Sequence, residues 1–158
     1  MRRASRPFHG RGRPLPAVRQ AARTWYLYDT FDGIPADQLE AGQENPAAYR
    51  NPSLYESAKR RFEEYPNIRV VRGRIPEVLA EASPQSIAFL HLDMNSAAAE
   101  IGALERLFDR MVAGAYLLLD DYGWYKHRQQ KIAEDAFLGR RGYTVLELPT
   151  GQGLVIKT

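Results

Sequence analysis

The pattern of apolar and polar positions over residues 87–122 predicts a strand, a helix and a second strand. An unbroken apolar run over residues 87–92 ends on Asp93, and a second run over residues 115–119 ends on the acidic pair at 120–121. Between the two runs, apolar residues recur at helical spacing and share one face. These residues are Ile101, Leu104, Leu107, Phe108 and Met111, and Gly114 ends their pattern. Two apolar strands joined by one helix indicate a βαβ unit whose parallel strands are buried on both faces.

The first half of the chain alternates strands and helices in the same way. Apolar runs over residues 25–28 and 68–71 predict two more strands. Helices are predicted to begin after Ser53 and at Pro76, where the residue types are typical of helix starts. The connection over residues 30–50 is longer than most loops, and connections of this length are commonly lids or binding loops.

The last part of the chain predicts a helix followed by a hairpin. Residues 125–141 have helical spacing, and their inward positions are predicted to be Ile132, Ala133, Ala136 and Phe137. Residues 144–148 and 154–157 are predicted as two strands around a tight turn that contains two glycines. The complete order indicates an α/β fold with a doubly wound, mostly parallel sheet and an antiparallel C-terminal strand.

Acidic side chains follow the ends of two neighbouring strands of this predicted sheet. Parallel neighbours lie ~5 Å apart and present their carboxyl ends at the same edge, so we expect Asp93, Asp120 and Asp121 to converge there. Oxygen ligands favour Mg²⁺, Ca²⁺ or Mn²⁺ over zinc. The alternative role is helix capping, which Asn95 or Ser96 can perform in place of Asp93. The adjacent aspartates repel each other unless a cation or a donor lies between them, which favours a metal or ligand site.

The net charge of +3 comes from the N-terminal residues. Residues 1–23 hold seven arginines and no acid, so we expect a disordered tail there and one folded domain over residues 24–158. The remainder has 15 basic and 19 acidic residues, so we do not expect the folded part to bind nucleic acid; an RNA- or DNA-binding tail stays as an alternative. The chain has no cysteine and no apolar run of membrane-spanning length, so we expect a soluble, cytoplasmic protein with no membrane partner.

Four segments of the chain resemble a known enzyme family. They are YDTFDGIP at residues 28–35, HLDMNSAAAEIGALERL at 91–107, AGAYLLLDDYGW at 113–124 and LPTGQGLVIK at 148–157. In this order they are similar to the macrocin O-methyltransferase-related family of class I methyltransferases. The resemblance covers residues 25–158 and implies a Rossmann-like methyltransferase sheet. It also implies S-adenosylmethionine as methyl donor, Mg²⁺ or another divalent cation, and a hydroxyl of a sugar or similar natural product as the small-molecule acceptor.

The resemblance also implies roles for individual residues. Asp93, Asp120 and Asp121 match the metal-binding motif of the family, and Asp93 is therefore also a candidate catalytic residue. Asp29 matches the acid that binds the ribose of the cofactor, and Gly73 lies where the backbone can approach the adenine.

For each of the remaining candidate residues, a structural role is an alternative to a functional one. His127 opens the helix after Asp121 and is a candidate catalytic base, although tyrosine is more common there in the family. His91 points to the same face as Asp93, and we expect it to be a core histidine of a buried strand. Tyr122 and Trp124 are candidates for the acceptor pocket or for aromatic packing. Residues 130–131 match a Gln-Lys pair of the family.

One part of the family pattern is missing. The chain enters the methyltransferase fold at its second strand, so the first, central strand and the Gly-rich cofactor loop before Asp29 are absent. We interpret the chain as N-terminally truncated, with two sheet edges left unpaired. A gap closed by a second copy is the alternative, and this leaves a homo-oligomer open. The alternative functions are a catalytically inactive methyltransferase-like domain and a metal-dependent hydrolase or nucleotide-binding domain, although the sequence contains neither GxSxG nor GxxxxGK[ST].

Overall fold

The computed structural model describes residues 22–158, without the side chains of Ala48 and Arg50. The strands are β1 (Trp25–Asp29), β2 (Ile68–Arg72), β3 (Ile87–Leu92), β4 (Met111–Leu119), β5 (Leu146–Glu147) and β6 (Gly153–Ile156). The α-helices are α1 (Leu54–Phe62), α2 (Ala97–Leu107) and α3 (Arg128–Gly139). The predicted disordered tail lies outside the described residues except for Ala22 and Arg23. No helix within residues 22–158 is both long and apolar enough to cross a lipid bilayer.

The strands form two separate sheets. β1 and β2 pair in parallel, and the second sheet has the order β3-β4-β6-β5, with β3 and β4 parallel and β6 antiparallel to both of its neighbours. The predicted α/β class, with a mostly parallel sheet and an antiparallel C-terminal end, is confirmed. Among the described residues, no strand pairs with the second edge of β1 or of β3. The rings of Trp25 and Phe89 nevertheless meet, with centroids 6.3 Å apart, so side chains of β1 and β3 touch although the two strands are not paired.

The core lies between the second sheet and two helices. Leu104 of α2 and Phe137 of α3 belong to one buried cluster with Leu117 and Leu119 of β4. Ring contacts extend this cluster, because Phe108 meets Phe137 edge-on at 5.8 Å between centroids. This packing holds β3 and β4 in register, and that register sets where the side chains after the two strands are placed.

The prediction that the central strands are buried on both faces is wrong. Along β4 the burial alternates, with Leu117 and Leu119 inside. On the opposite face Phe89 and Tyr116 are 46% and 49% exposed. The reason is that both helices of this unit pack on one side of the sheet, and no helix of the described residues covers the other side.

The inward side of α3 also differs from the prediction. Ile132 and Ala136 are exposed and Ala133 is half-buried, so the only predicted inward position that is buried is Phe137. The buried positions of α3 are Gln130, Glu134, Phe137 and Leu138. They share one face at helical spacing, but two of the four are polar. Polar residues occupy the inner face because Gln130 bonds to a buried acid of α2, which the apolar pattern alone does not reveal.

Several element boundaries differ from the prediction, and two of these differences change an element's type or length substantially. The segment after Pro76 is a short 3-10 helix, Glu77–Ala80, rather than a longer helix. Met111 is the first residue of β4 rather than part of the preceding helix, and it pairs with Ile87. Gly114 lies inside this strand with a φ of +81°, where the pairing of β3 with β4 is irregular. The apolar pattern alone had indicated that the helix ends at this glycine.

Candidate cofactor and metal site

Three carboxylates meet at the carboxyl ends of β3 and β4, as the sequence predicted. One oxygen from each of Asp93, Asp120 and Asp121 lies within 4.8 Å of the others. The backbone N–H of Asp120 donates to the carbonyl oxygen of Leu92 at 2.9 Å, so the two strand ends are tied together. Three oxygen donors at this separation suit a hard divalent cation. Their role as metal ligands stays a prediction.

Two side chains that the sequence analysis did not assign to the site contact Asp120. Gln152 Nε2 donates to Asp120 Oδ1 at 2.7 Å, and His91 Nε2 lies 3.3 Å from the same oxygen. Gln152 is adjacent because β6 runs antiparallel to β4 and places Gly153 opposite Leu119. The hairpin prediction contained this information, since pairing the two predicted strands brings the turn beside the acidic pair.

The structure corrects the expectation that His91 is a core histidine. Its side chain is 39% exposed, on the same uncovered sheet face as Phe89. The cause is that no described strand pairs with the outer edge of β3 and no described helix covers this face, which leaves the imidazole in contact with solvent and with Asp120.

Asp93 has no capping role. Ser96 caps α2, with its Oγ accepting from the N–H of Ala99 at 3.3 Å. Asn95 has a φ of +52° and its Nδ2 contacts Asp93 Oδ1 at 3.4 Å. Burial, followed by the charges of Asp120 and Asp121, raises the pKa of Asp93 above its ordinary value, and His91 opposes this shift. A bound cation would relieve the repulsion that contributes to this shift.

The candidate base His127 is buried and directed toward the carboxylates. Its Nε2 lies 3.8 Å from Asp121 Oδ2, and its side chain is mostly enclosed. His127 does not line the large cavity described below. The geometry suits a residue that orients Asp121, and action as a base on the acceptor stays a prediction.

A cavity of about 560 Å³ opens beside Asp93. Its wall is formed by the end of β1, the loop after it, one side of α1, Gly73 and the turn that follows β3. The predicted binding loop therefore does face a cavity. Asp29 lies at the cavity wall, where its Oδ1 accepts from the N–H of Phe31 at 2.6 Å. Within the described residues its Oδ2 has no hydrogen-bond partner and is available to a ligand hydroxyl.

Gly73 lines the same cavity, but its own packing already explains the glycine. A Cβ at this position would lie 2.5 Å from Cγ2 of Val78, too close for any other residue without a shift. The cofactor role of Gly73 stays a prediction.

The other candidates are engaged elsewhere. Tyr122 is buried and donates to Asp135 Oδ1 at 2.6 Å, which favours packing over an acceptor pocket. Trp124 is exposed and does not line the cavity. Gln130 is buried in the core, and Lys131 lies over the ring of Tyr122, with its Nζ 3.3 Å from the centroid.

Comparison with known proteins identifies what this arrangement resembles. The chain is 27% identical over 122 residues to a rhamnosyl-tetracenomycin-C 4'-O-methyltransferase of Streptomyces olivaceus, covering 68% of this chain and 45% of that protein. It is 27% identical over 110 residues to a demethyldecarbamoylnovobiocin O-methyltransferase of Streptomyces niveus, covering 63% of this chain and 42% of that protein. The chain thus spans less than half the length of these curated relatives.

The fold is similar to that of solved methyltransferases. The structure of the O-methyltransferase NovP superposes with a TM-score of 0.73 at 22% identity, covering 91% of this chain and 64% of that chain. The model of the macrocin O-methyltransferase family (TylF) matches residues 14–143, which is most of the sequence. The chain belongs to the macrocin O-methyltransferase family.

Proposed function

We propose that this chain is part of an enzyme that transfers a methyl group from S-adenosylmethionine to a hydroxyl of a sugar or similar natural product, assisted by a divalent cation. The observation that carries the proposal is the double position of Asp93. It lines the cavity, and it also belongs to the carboxylate trio, which consists of Asp93, Asp120 and Asp121. A cofactor in the cavity and an acceptor at the trio would therefore be neighbours. Both curated relatives bear the names of O-methyltransferases that act on antibiotic molecules, one of them at a rhamnosyl group, which supports the acceptor class.

Asp29 suits the cofactor end of the cavity. One carboxylate oxygen accepts from the N–H of Phe31, which leaves the other free to accept from a ribose hydroxyl of a molecule in the cavity. The volume of about 560 Å³ falls in the range of small-molecule and cofactor sites. The chain's task at this end is to hold the donor in one orientation, which lowers the entropic part of the barrier to in-line transfer.

The carboxylates suit the acceptor end. Asp93, Asp120 and Asp121 would hold a divalent cation, which when bound lowers the pKa of a hydroxyl that it contacts. Gln152 and His91 restrain Asp120, and His127 lies against Asp121, so the donor set is held from several sides. Asp93 is the member of this set that also lines the cavity, so its carboxylate is placed to accept the proton that the hydroxyl loses.

Replacing Asp120 by asparagine is expected to weaken Mn²⁺ binding at least about tenfold, because one of three anionic donors is lost. Calorimetric titration with Mn²⁺ measures this, and Asp109→Asn, an exposed acid outside the site, is the matched control. Equal affinity in Asp120→Asn and in the unchanged protein would remove the cation from the proposal and leave the trio a structural role.

Replacing Asp29 by alanine is expected to weaken binding of S-adenosylhomocysteine about tenfold, because a ribose hydroxyl loses its charged acceptor. Equilibrium titration with S-adenosylhomocysteine measures this affinity, with Asp109→Ala as control. If the unchanged chain does not bind S-adenosylhomocysteine at millimolar concentration, the methyl-transfer proposal does not hold for this chain.

The separation of the two sheets favours a second candidate, a domain that keeps the ligand sites without turnover. β1 and β3, whose ends carry Asp29 and Asp93, are not hydrogen-bonded to each other in the described part of the chain. Their relative position is therefore less constrained than in a continuous sheet. Binding of both cation and S-adenosylhomocysteine, without transfer of an isotope-labelled methyl group to rhamnose-bearing acceptors, would identify this second function.

A further inference from the structure

A network of buried polar side chains joins α2 to α3 directly behind the carboxylate trio. Glu100 of α2 is 2% exposed, and Gln130 and Glu134 of α3 are each 1% exposed. Buried acids of this kind are costly unless they are paired, and an apolar set of equal volume often gives a more stable core. Packing alone therefore does not account for the network.

One oxygen of Glu100 is the centre of the network. Glu100 Oε1 accepts from the backbone N–H of Met94 at 3.1 Å and from Gln130 Nε2 at 2.7 Å. Met94 directly follows Asp93, so the first bond holds the turn that carries Asp93. The carboxylate of Asp93 belongs to both the cavity wall and the trio. The second bond fixes the Glu100 carboxylate from α3, and thereby connects that turn to the helix that begins after His127.

Glu134 completes the support. Burial, followed by the interaction of its carboxyl group with that of Glu100, raises the pKa of Glu134 to about 10. Glu134 is therefore protonated at neutral pH. Burial raises the pKa of Glu100 as well, but the interaction with Glu134 lowers it, so the negative charge of the pair lies on Glu100, whose Oε1 faces Met94 and Gln130. A charged acceptor forms the stronger bond to a backbone N–H.

The far side of the same turn is held by other elements. Gln43 Nε2 donates to the carbonyl oxygen of Asn95 at 2.7 Å, and Ser96 Oγ donates to that of Gln38 at 2.7 Å. These bonds come from the loop after β1, so they fix the outer part of the turn. On the inner side, the N–H of Met94 is fixed by Glu100.

We propose that Glu100 is a positioning residue: held by Gln130 and Glu134, it fixes the backbone at Met94 and so sets the carboxylate of Asp93 against Asp120 and Asp121. The inference rests on the proposed function, in which these three carboxylates bind a cation. It adds that the affinity of the cation depends on a buried acid that does not touch it, as second-shell groups do in established metal sites.

The test compares Glu100→Leu, which removes the acceptor, with Glu100→Gln, which retains an acceptor oxygen. Glu105→Leu, at an exposed acid of the same helix, is the matched control. In Glu100→Leu we expect amide hydrogen exchange at Met94 to accelerate about tenfold relative to the amide of Leu90 in β3, and Mn²⁺ affinity to fall about tenfold. Glu100→Gln should restore most of both properties, and Glu105→Leu should change neither.

Several outcomes would overturn the inference. Unchanged exchange at Met94 in Glu100→Leu shows that the carboxylate does not hold the turn. Faster exchange at Met94 with unchanged Mn²⁺ affinity in Glu100→Leu shows that Glu100 stabilises the turn but does not position the cation ligands. Where Glu100→Leu does not fold, the nearly isosteric Gln130→Met serves instead, with faster exchange at Met94 expected and unchanged exchange contradicting the inference. A wild-type chain that binds no Mn²⁺ contradicts the proposed cation site, and the exchange comparison then still decides whether Glu100 holds the turn.

Discussion

Replacing Glu134 by glutamine is expected to raise the free energy of unfolding above pH 7 and to flatten its dependence on pH. The pKa of Glu134 is raised from its ordinary 4.5 to about 10, first by burial and then by its bond to Glu100. Between these two values the folded chain binds a proton that the unfolded chain has released. The free energy of unfolding therefore falls as pH rises through this interval, by up to about 1.4 kcal/mol per pH unit.

Glutamine has the shape of the protonated acid and can donate to Glu100 without holding a titratable proton. The stabilisation of Glu134→Gln relative to the unchanged chain should thus be absent below pH 4.5 and reach about 3 kcal/mol or more by pH 8. Urea unfolding at pH 5, 7 and 9 measures it, with the exposed Glu105→Gln as control. A parallel pH dependence of the Glu134→Gln variant and the unchanged chain would mean that Glu134 is ionised in the folded state.

Replacing Phe137 by alanine is expected to lower the free energy of unfolding by about 3–5 kcal/mol. Phe137 is 1% exposed and its ring meets Phe108 edge-on, with Arg141 stacked 3.7 Å from its centroid. Removing the ring leaves a cavity between α3 and the sheet that the surrounding side chains cannot fill. This loss is a large part of the 5–15 kcal/mol that is typical of whole domains.

Ile132→Ala is the matched control, because Ile132 lies on the same helix and is 49% exposed. It should cost less than about 1 kcal/mol, since few buried contacts are lost. If Phe137→Ala does not fold, Phe137→Leu is expected to show a smaller loss in the same direction. Equal losses for Phe137→Ala and Ile132→Ala would contradict the orientation of α3, and with it the inward position of Glu134.

The position of Asp93 connects these stability effects to function. The backbone N–H of Met94, the next residue, is held by Glu100, whose charge depends on the proton of Glu134, and Phe137 anchors α3 in the core. A change in the core between α2 and α3 is therefore expected to reach the carboxylate trio. We expect the cation affinity, rather than the architecture of the sheet, to be the first property that such a change affects.

The sequence by itself determined the order of strands and helices and the convergence of Asp93, Asp120 and Asp121. Both follow from short-range physics: an apolar run ending on an acid marks a strand end, and parallel neighbours present such ends at one edge. The sequence also led us to expect an unpaired edge on β1 and on β3, and within residues 22–158 neither of these edges has a strand beside it.

Tertiary structure alone decided which faces are covered and which polar residues lie inside. His91 is exposed because the described helices pack on one side of the sheet, and Gln152 reaches Asp120 through the pairing of β6 with β4. Glu100 and Glu134 look like surface acids in sequence, since nothing local distinguishes them from Glu105. Their burial depends on the packing of α2 against α3, and a contact between residues 34 positions apart cannot be read from the periodicity of either helix.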